Sequence, residues 1–196
     1  MSEKYKGVKF KVIFGKKAYP KNNKISELKK WFKIFRDKNL APVENGQAGG
    51  NLSFRIKNGE LPFIITGTQI GLEHTIDNSM FVKVLNCNFD KKIINIEGLR
   101  EPSSESFLHY AIYKARPDVN SIFHGHSTEI LSNYKKFNLI CTKKEVPYGS
   151  IELVDSILEI LDKNTNFLII KNHGFLAFGK TMQKAGELTV RHLKSV

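Results

Sequence analysis

Three histidines and one glutamate are the residues of this 196-residue chain best suited to chemistry. His124-Gly125-His126 sets two imidazoles two positions apart. Side chains of extended backbone alternate with period two, so both rings leave the chain on the same side and suit one metal ion. Taken alone, a His-x-His pair is more often an accident of surface or core. His173 changes that balance, because it follows a separate apolar run, 166–170, and precedes Gly174, whose missing Cβ allows close backbone approach. Three neutral imidazoles with an open fourth position describe a catalytic zinc-type site and not a closed structural one. Glu105 follows Ser103 and Ser104 at the expected start of a helix. Such an end offers donors and the positive pole of the helix dipole, a ready anion site. The plainer reading is a cap, with Ser103 or Ser104 at the N-cap and Glu105 favoured by the dipole. A capped helix start can still present a carboxylate to a metal, so both readings can hold.

The elements that must position these residues are legible from periodicity. Residues 7–14 alternate apolar side chains with lysine, the pattern of a half-buried strand, and Pro20 ends that unit. Residues 1–22 are expected to form a basic N-terminal extension of a single domain over 1–196. Ile25, Leu28, Phe32 and Phe35 share one helical face, with Asn23 or Ser26 expected as its cap. The glycine-rich passage 45–50 leads into a strand over 51–56, a turn at Asn58-Gly59 and a strand over 61–66. Strands follow over 82–85 and 93–96, then a helix from Pro102-Ser103-Ser104-Glu105 to about Ala115, placing Glu105 in its first turn. A strand over 121–124 delivers the paired histidines at its C-terminal end. A helix over 151–161, a buried strand over 166–170 and a last helix over 182–193 complete the chain. No internal repeat or interior linker divides it.

Composition narrows the partners. The net charge is +12, but residues 1–40 hold 13 Lys/Arg against 3 Asp/Glu, while residues 41–196 hold 18 against 16. The excess lies at one end, unaccompanied by a nucleic-acid recognition motif. Lys outnumbers Arg by 26 to 5, whereas phosphate-reading surfaces exploit arginine's bidentate fork. The basic face reads as solvated, and nucleic acid is not the expected partner. Cys87 and Cys141 fit neither a zinc ribbon nor a disulfide scaffold and read as free thiols in a cytoplasmic protein. No apolar stretch suggests a signal peptide or a membrane span.

The motifs together resemble a known family. Gly49-Gly50-Asn51-Leu52-Ser53-Phe54-Arg55, Ile65-Thr66-Gly67-Thr68, Pro102-Ser103-Ser104-Glu105, His109-x-x-x-Tyr113-x-x-Arg116-Pro117-Asp118-Val119, His124-x-His126-Ser127 and Asn172-His173-Gly174 with Gly179 look like the ordered series of class II aldolase/adducin proteins. The resemblance covers residues from about 25 to 190. It implies an α/β fold, a three-layer α/β/α domain around a central, mainly antiparallel mixed β-sheet, assembled as a homotetramer with sites at subunit boundaries. It implies a divalent metal, zinc first and manganese, cobalt or iron as alternatives, held by His124, His126 and His173, with Glu105 as catalytic acid/base. A substrate phosphate would lie against Gly50, Asn51, Thr66, Thr68, Ser103 and Ser104.

The activity so implied is a lyase that cleaves or forms a C–C bond in a small phosphorylated sugar through a metal-stabilised enediolate. The alternatives are an epimerase or dehydratase of the same family, or a non-catalytic adducin-like interaction module. Retention of all three histidines and Glu105 favours an enzyme. Where family aldolases commonly read Thr-Pro-(Ser/Thr)-Gly, this chain has Thr66-Gly67-Thr68-Gln69, keeping both hydroxyls but losing the proline and final glycine. No counterpart is found for the C-terminal tyrosine of some aldolases. Tyr148 or Tyr113 could take its place, Tyr113 being read chiefly as core. His109 lies four residues after Glu105 on the same helical face, close enough to orient it, and reads mainly as a helix-packing histidine. His74, His192 and Trp31 are assigned no function.

Overall fold

Most segments with period-two alternation do form strands, and they join into one sheet. The computed structural model describes residues 9–44, 47–70 and 75–195. In chain order the elements are β1 (Lys11–Phe14), α1 (Ile25–Asp37), β2 (Val43–Glu44), β3 (Gln47–Ala48), β4 (Asn51–Arg55), β5 (Phe63–Thr66), β6 (Phe81–Asn88), β7 (Ile93–Glu97), α2 (Ser106–Ala115), β8 (Ser121–Gly125), α3 (Thr128–Asn133), β9 (Ile140–Cys141), α4 (Ile151–Leu158), β10 (Phe167–Ile170), β11 (Gly174–Gly179) and α5 (Met182–Lys194). Nine strands lie in the order β1-β7-β6-β5-β4-β8-β11-β10-β9, and β2 pairs with β3 separately. The outermost pairs, β1 with β7 and β10 with β9, are parallel. The six pairs between them are antiparallel.

Alternation sends each strand's side chains to two helical layers. Leu52, Phe54, Ile64, Phe123, Phe175 and Ala177 pack against the apolar faces of α1 and α5. Ile65, Val82, Ile122, Leu168 and Leu176 pack against α2 and α4. Burying one such side chain contributes about 1.5–3 kcal/mol, so the two layers are the main source of cohesion. This is the expected three-layer α/β/α arrangement around a mainly antiparallel mixed sheet. The segment read as an N-terminal extension contributes β1 to the sheet edge, with the Phe10 ring 4.8 Å from that of Phe107. Residues 7 and 8 of that expected strand, and His74, lie outside the described residues.

Several local expectations are corrected. Neither Asn23 nor Ser26 caps α1. Lys24 holds the N-cap position without a side-chain bond, and the Asn22 side chain accepts the Lys24 N–H at 2.9 Å, so the polar turn closes one residue early. The helix after Pro102 begins at Ser106, leaving Glu105 at its N-cap and not in its first turn. The strand β11 went unread because its run Gly-Phe-Leu-Ala-Phe-Gly is buried on both faces and carries no alternation. Trp31 packs at the α1–α5 crossing, where a Cβ on Gly186 would come within 2.3 Å of its ring. Its role is packing.

Candidate active site

Sheet register explains why residues far apart in sequence meet. In β8, His124 pairs directly with Asn51 of β4 on one side and Leu176 of β11 on the other. His126 lies just past the end of β8, and its backbone N–H donates to the Leu40 carbonyl at 2.9 Å. His173 sits in the turn joining β10 to β11, where its N–H donates to the Ile170 carbonyl at 3.0 Å. That turn places Asn172 at φ +57°, a left-handed conformation that asparagine tolerates better than most residues. Gly174 then matters sterically, because a Cβ there would lie 2.5 Å from the Gly125 carbonyl and 2.9 Å from the His124 ring.

The three imidazoles form a near-equilateral cluster, with ring centroids 4.9, 5.0 and 5.1 Å apart. One ligand nitrogen from each lies within 4.8 Å of the others. Glu105 faces them, with Oε2 3.1 Å from His124 Nε2 and Oε1 3.5 Å from His173 Nε2. It makes no side-chain cap bond to its helix. The Asn51 amide donates to Oε2 at 2.9 Å. Glu105 therefore holds the position of a cap while its carboxylate belongs to the site.

The donor chemistry fits a cation. His124 Nδ1 lies 2.9 Å from the Phe175 carbonyl, which can only accept, so Nδ1 carries the proton and Nε2 is a lone pair in the neutral ring. Burial pushes His124 down to about 3, with His173 adding to the effect, so the ring does not protonate at neutral pH. Burial likewise holds His126 well below the usual histidine range. The Nε2 lone pair of His124 thus faces a carboxylate oxygen at 3.1 Å and the Nε2 of His126 at 3.0 Å. A divalent ion among the three imidazoles satisfies that electron-rich centre. A backbone carbonyl fixing the tautomer of a ligating ring is the usual support of such a site.

A cleft of about 140 Å³ opens over the cluster and is lined by Gly50, Asn51, Thr68, Ser103, Ser104 and Tyr148 among others. Five of the six expected phosphate-site residues reach it. Thr66 does not: it is fully buried, and its hydroxyl accepts the Leu52 N–H at 3.2 Å, which makes it a β4–β5 fastener. The Ser103 N–H, expected to be free for an anion, donates to the Thr66 carbonyl at 3.1 Å. Gly49 and Gln69 stand in the sequence motifs without a site role, yet both line the cleft. A Cβ on Gly49 would touch the His126 ring at 3.1 Å, and the Gln69 side chain accepts the Ala48 N–H at 2.8 Å. The doubled glycine was a visible signal for the first, whereas nothing local marks the second. Tyr148 is held at the rim by Lys9, whose ammonium lies 4.0 Å over its ring. Gly149 packs so closely on the Ser104 carbonyl that a Cβ would approach to 2.8 Å. Tyr113 is core, fully buried with its phenol 2.7 Å from Ser53 Oγ.

Comparison with known proteins agrees with this geometry. Residues 43–194 match the family described as Class II Aldolase and Adducin N-terminal domain. An L-fuculose phosphate aldolase of Methanococcus maripaludis is 30% identical over 152 residues, spanning 70% of this chain and 77% of that protein. A 5-methylthioribulose-1-phosphate/5-deoxyribulose-1-phosphate aldolase of Escherichia coli O45:K1 is 31% identical over 165 residues, spanning 76% and 71%. Among solved structures, an L-fuculose 1-phosphate aldolase superposes with a TM-score of 0.70 at 23% identity, over 90% of this chain and 84% of that one, which bears on the fold. With the family match over most of its length and relatives named as aldolases, the chain belongs to the class II aldolase and adducin family.

Proposed function

We propose that this protein is a metal-dependent lyase of the class II aldolase type, cleaving or forming a C–C bond in a small phosphorylated sugar. The observation that carries this reading is the convergence of three imidazoles, His124 buried and His126 and His173 half-buried, with the Glu105 carboxylate at the floor of a small-molecule cleft. The names of the relatives, both sugar-phosphate aldolases, point to the same substrate class.

His124, His126 and His173 would hold the ion. Three neutral nitrogen donors with an open position favour zinc, although manganese, cobalt or iron also accept imidazole. When bound, a divalent ion supplies Lewis acidity to a carbonyl and the hydroxyl beside it. The residues of this chain do the rest. Cleavage of a β-hydroxy ketone moves one proton from the hydroxyl of the departing aldehyde to the α-carbon of the ketone fragment. Glu105 would carry that proton, a role supported by the Asn51 amide that holds one of its oxygens beside the histidines. Gly50, Thr68, Ser103 and Ser104 form the rim against which a phosphate would rest.

The test is a thermal-shift screen of zinc-loaded wild type and His173→Ala, with metal content measured on the same samples. The wild type retains about one ion per chain, as a three-histidine open site should, and is stabilised more by sugar phosphates than by their unphosphorylated forms. His173→Ala stays folded and loses both the ion and the ligand response. A wild type that ignores added zinc, manganese and cobalt overturns the metal assignment. Equal stabilisation by phosphorylated and unphosphorylated sugars overturns the phosphate rim.

A further inference from the structure

Strand β4 and helix α2 face each other through a ladder of polar contacts. Residues two apart on a strand are about 6.6–6.8 Å apart, close to the roughly 6 Å spanned by four helical residues. Asn51, Ser53 and Arg55 therefore keep step with Glu105, His109 and Tyr113. Asn51 meets Glu105, Ser53 bridges His109 and Tyr113, and Arg55 donates to the Tyr113 carbonyl. The middle rung is incomplete on one side. Ser53 Oγ lies 2.7 Å from His109 Nδ1, but His109 Nε2, fully buried, finds no hydrogen-bond partner among the described residues. Glu105 Oε1, one turn earlier on the same helix face, is likewise buried and without a hydrogen bond among the described residues, with His173 Nε2 facing it from the site at 3.5 Å.

The hydrogen-bond directions settle which tautomer His109 adopts. Among the described residues Ser53 Oγ, at 2.7 Å, is the hydrogen-bond acceptor within reach of the buried Tyr113 phenol, so the phenol proton goes to Ser53 Oγ. The Ser53 proton is then directed to His109 Nδ1, which leaves the proton of the neutral ring on Nε2. Burial pushes His109 down to about 3 against the opposing pull of Glu105, so the ring is neutral at working pH. An unspent buried donor beside an unspent buried acceptor is costly for both, and joining them directly or through one buried water removes both costs.

We propose that His109 is a positioning residue for Glu105, its Nε2–H reaching carboxylate Oε1 directly or through one buried water while Asn51 donates to Oε2. The two donors hold the carboxylate plane in one orientation toward the cleft. This rests on the reading of Glu105 as the proton carrier, but its structural half can be measured without any substrate.

Nitrogen-15 correlation spectra of histidine-labelled, chelator-treated protein report the tautomer directly. His109 shows the Nε2–H form with a hydrogen-bonded ring proton, and Glu105→Ala shifts that proton. An Nδ1–H tautomer, or a ring proton that moves with Asn51→Ala and not with Glu105→Ala, overturns the proposal. Two substitutions then separate positioning from packing. Gln places its amide nitrogen where Nε2 stands and Asn where Nδ1 stands. With a substrate in hand, His109→Asn lowers kcat roughly 10–100-fold at little change in KM, the scale of one lost hydrogen bond to a charged group. His109→Gln recovers most of that loss. Equal kcat for both variants overturns positioning. A wild type that turns over no sugar phosphate tells against the proposed activity and leaves the tautomer measurement standing.

Discussion

At the residue scale, Glu105 shows how position and role can part. It stands at the N-cap of α2, where an acidic side chain is expected to favour the dipole, yet its carboxylate points to Asn51 and His124. The two jobs have different consequences on substitution. Glu105→Gln keeps shape and hydrogen-bonding capacity, so loss of a dipole interaction alone costs about 0.3–1 kcal/mol. Loss of the proton carrier lowers turnover by roughly 10²–10⁴-fold with the ion retained by the three histidines. Stopped-assay turnover beside chemical denaturation separates them, and a Gln variant at near wild-type rate removes Glu105 from the mechanism. The residue types of the site were readable because metal chemistry restricts donors to few side chains. The place of Thr66 was not readable for the opposite reason: a hydroxyl serves equally as ligand or as fastener, and only its direction decides.

At the element scale, the site depends on how closely β8, β11 and the β10–β11 turn approach. Gly174 permits that approach, since the Gly125 carbonyl lies where its Cβ would be. Gly174→Ala forces backbone apart, and overpacking of this kind costs about 1–3 kcal/mol. Because the same Cβ would press on the His124 and His126 rings, metal affinity falls together with the melting temperature. Calorimetric titration with zinc checks this, and unchanged affinity in a folded variant contradicts the steric account. Helix α2 is set with similar firmness. Arg55, buried, donates to the carbonyls of Tyr113, Val119 and Arg116, satisfying acceptors at and just beyond the C-terminal end of the helix. Strand β4 thus holds α2 at its C-terminal end through Arg55 and at its N-cap through Asn51. The periodicities of both elements were legible in sequence, but their mutual register was not, because it depends on contacts across more than fifty residues.

At the scale of the whole molecule, a homotetramer with sites at subunit boundaries is the assembly we propose from the family resemblance. Light scattering at micromolar concentration is expected to give about four chain masses, consistent with the closed symmetry common among soluble oligomers. A monomer that turns over substrate contradicts it. The described residues contain no helix long and apolar enough to cross a membrane. By itself the sequence singled out the three histidines that converge, the acidic residue that faces them, and most strands and helices, while the layered architecture came from the family resemblance. It could do so because donor type, periodicity and turn residues are local properties. Tertiary structure alone decided that Thr66 faces the β4 backbone, that Tyr148 reaches the cleft under Lys9, that Gly49 makes room for His126, and that His109 Nε2 and Glu105 Oε1 are buried without a hydrogen bond among the described residues. Each of these follows from the direction of a side chain across the β4–β8–β11 register, a long-range relation that local patterns do not encode.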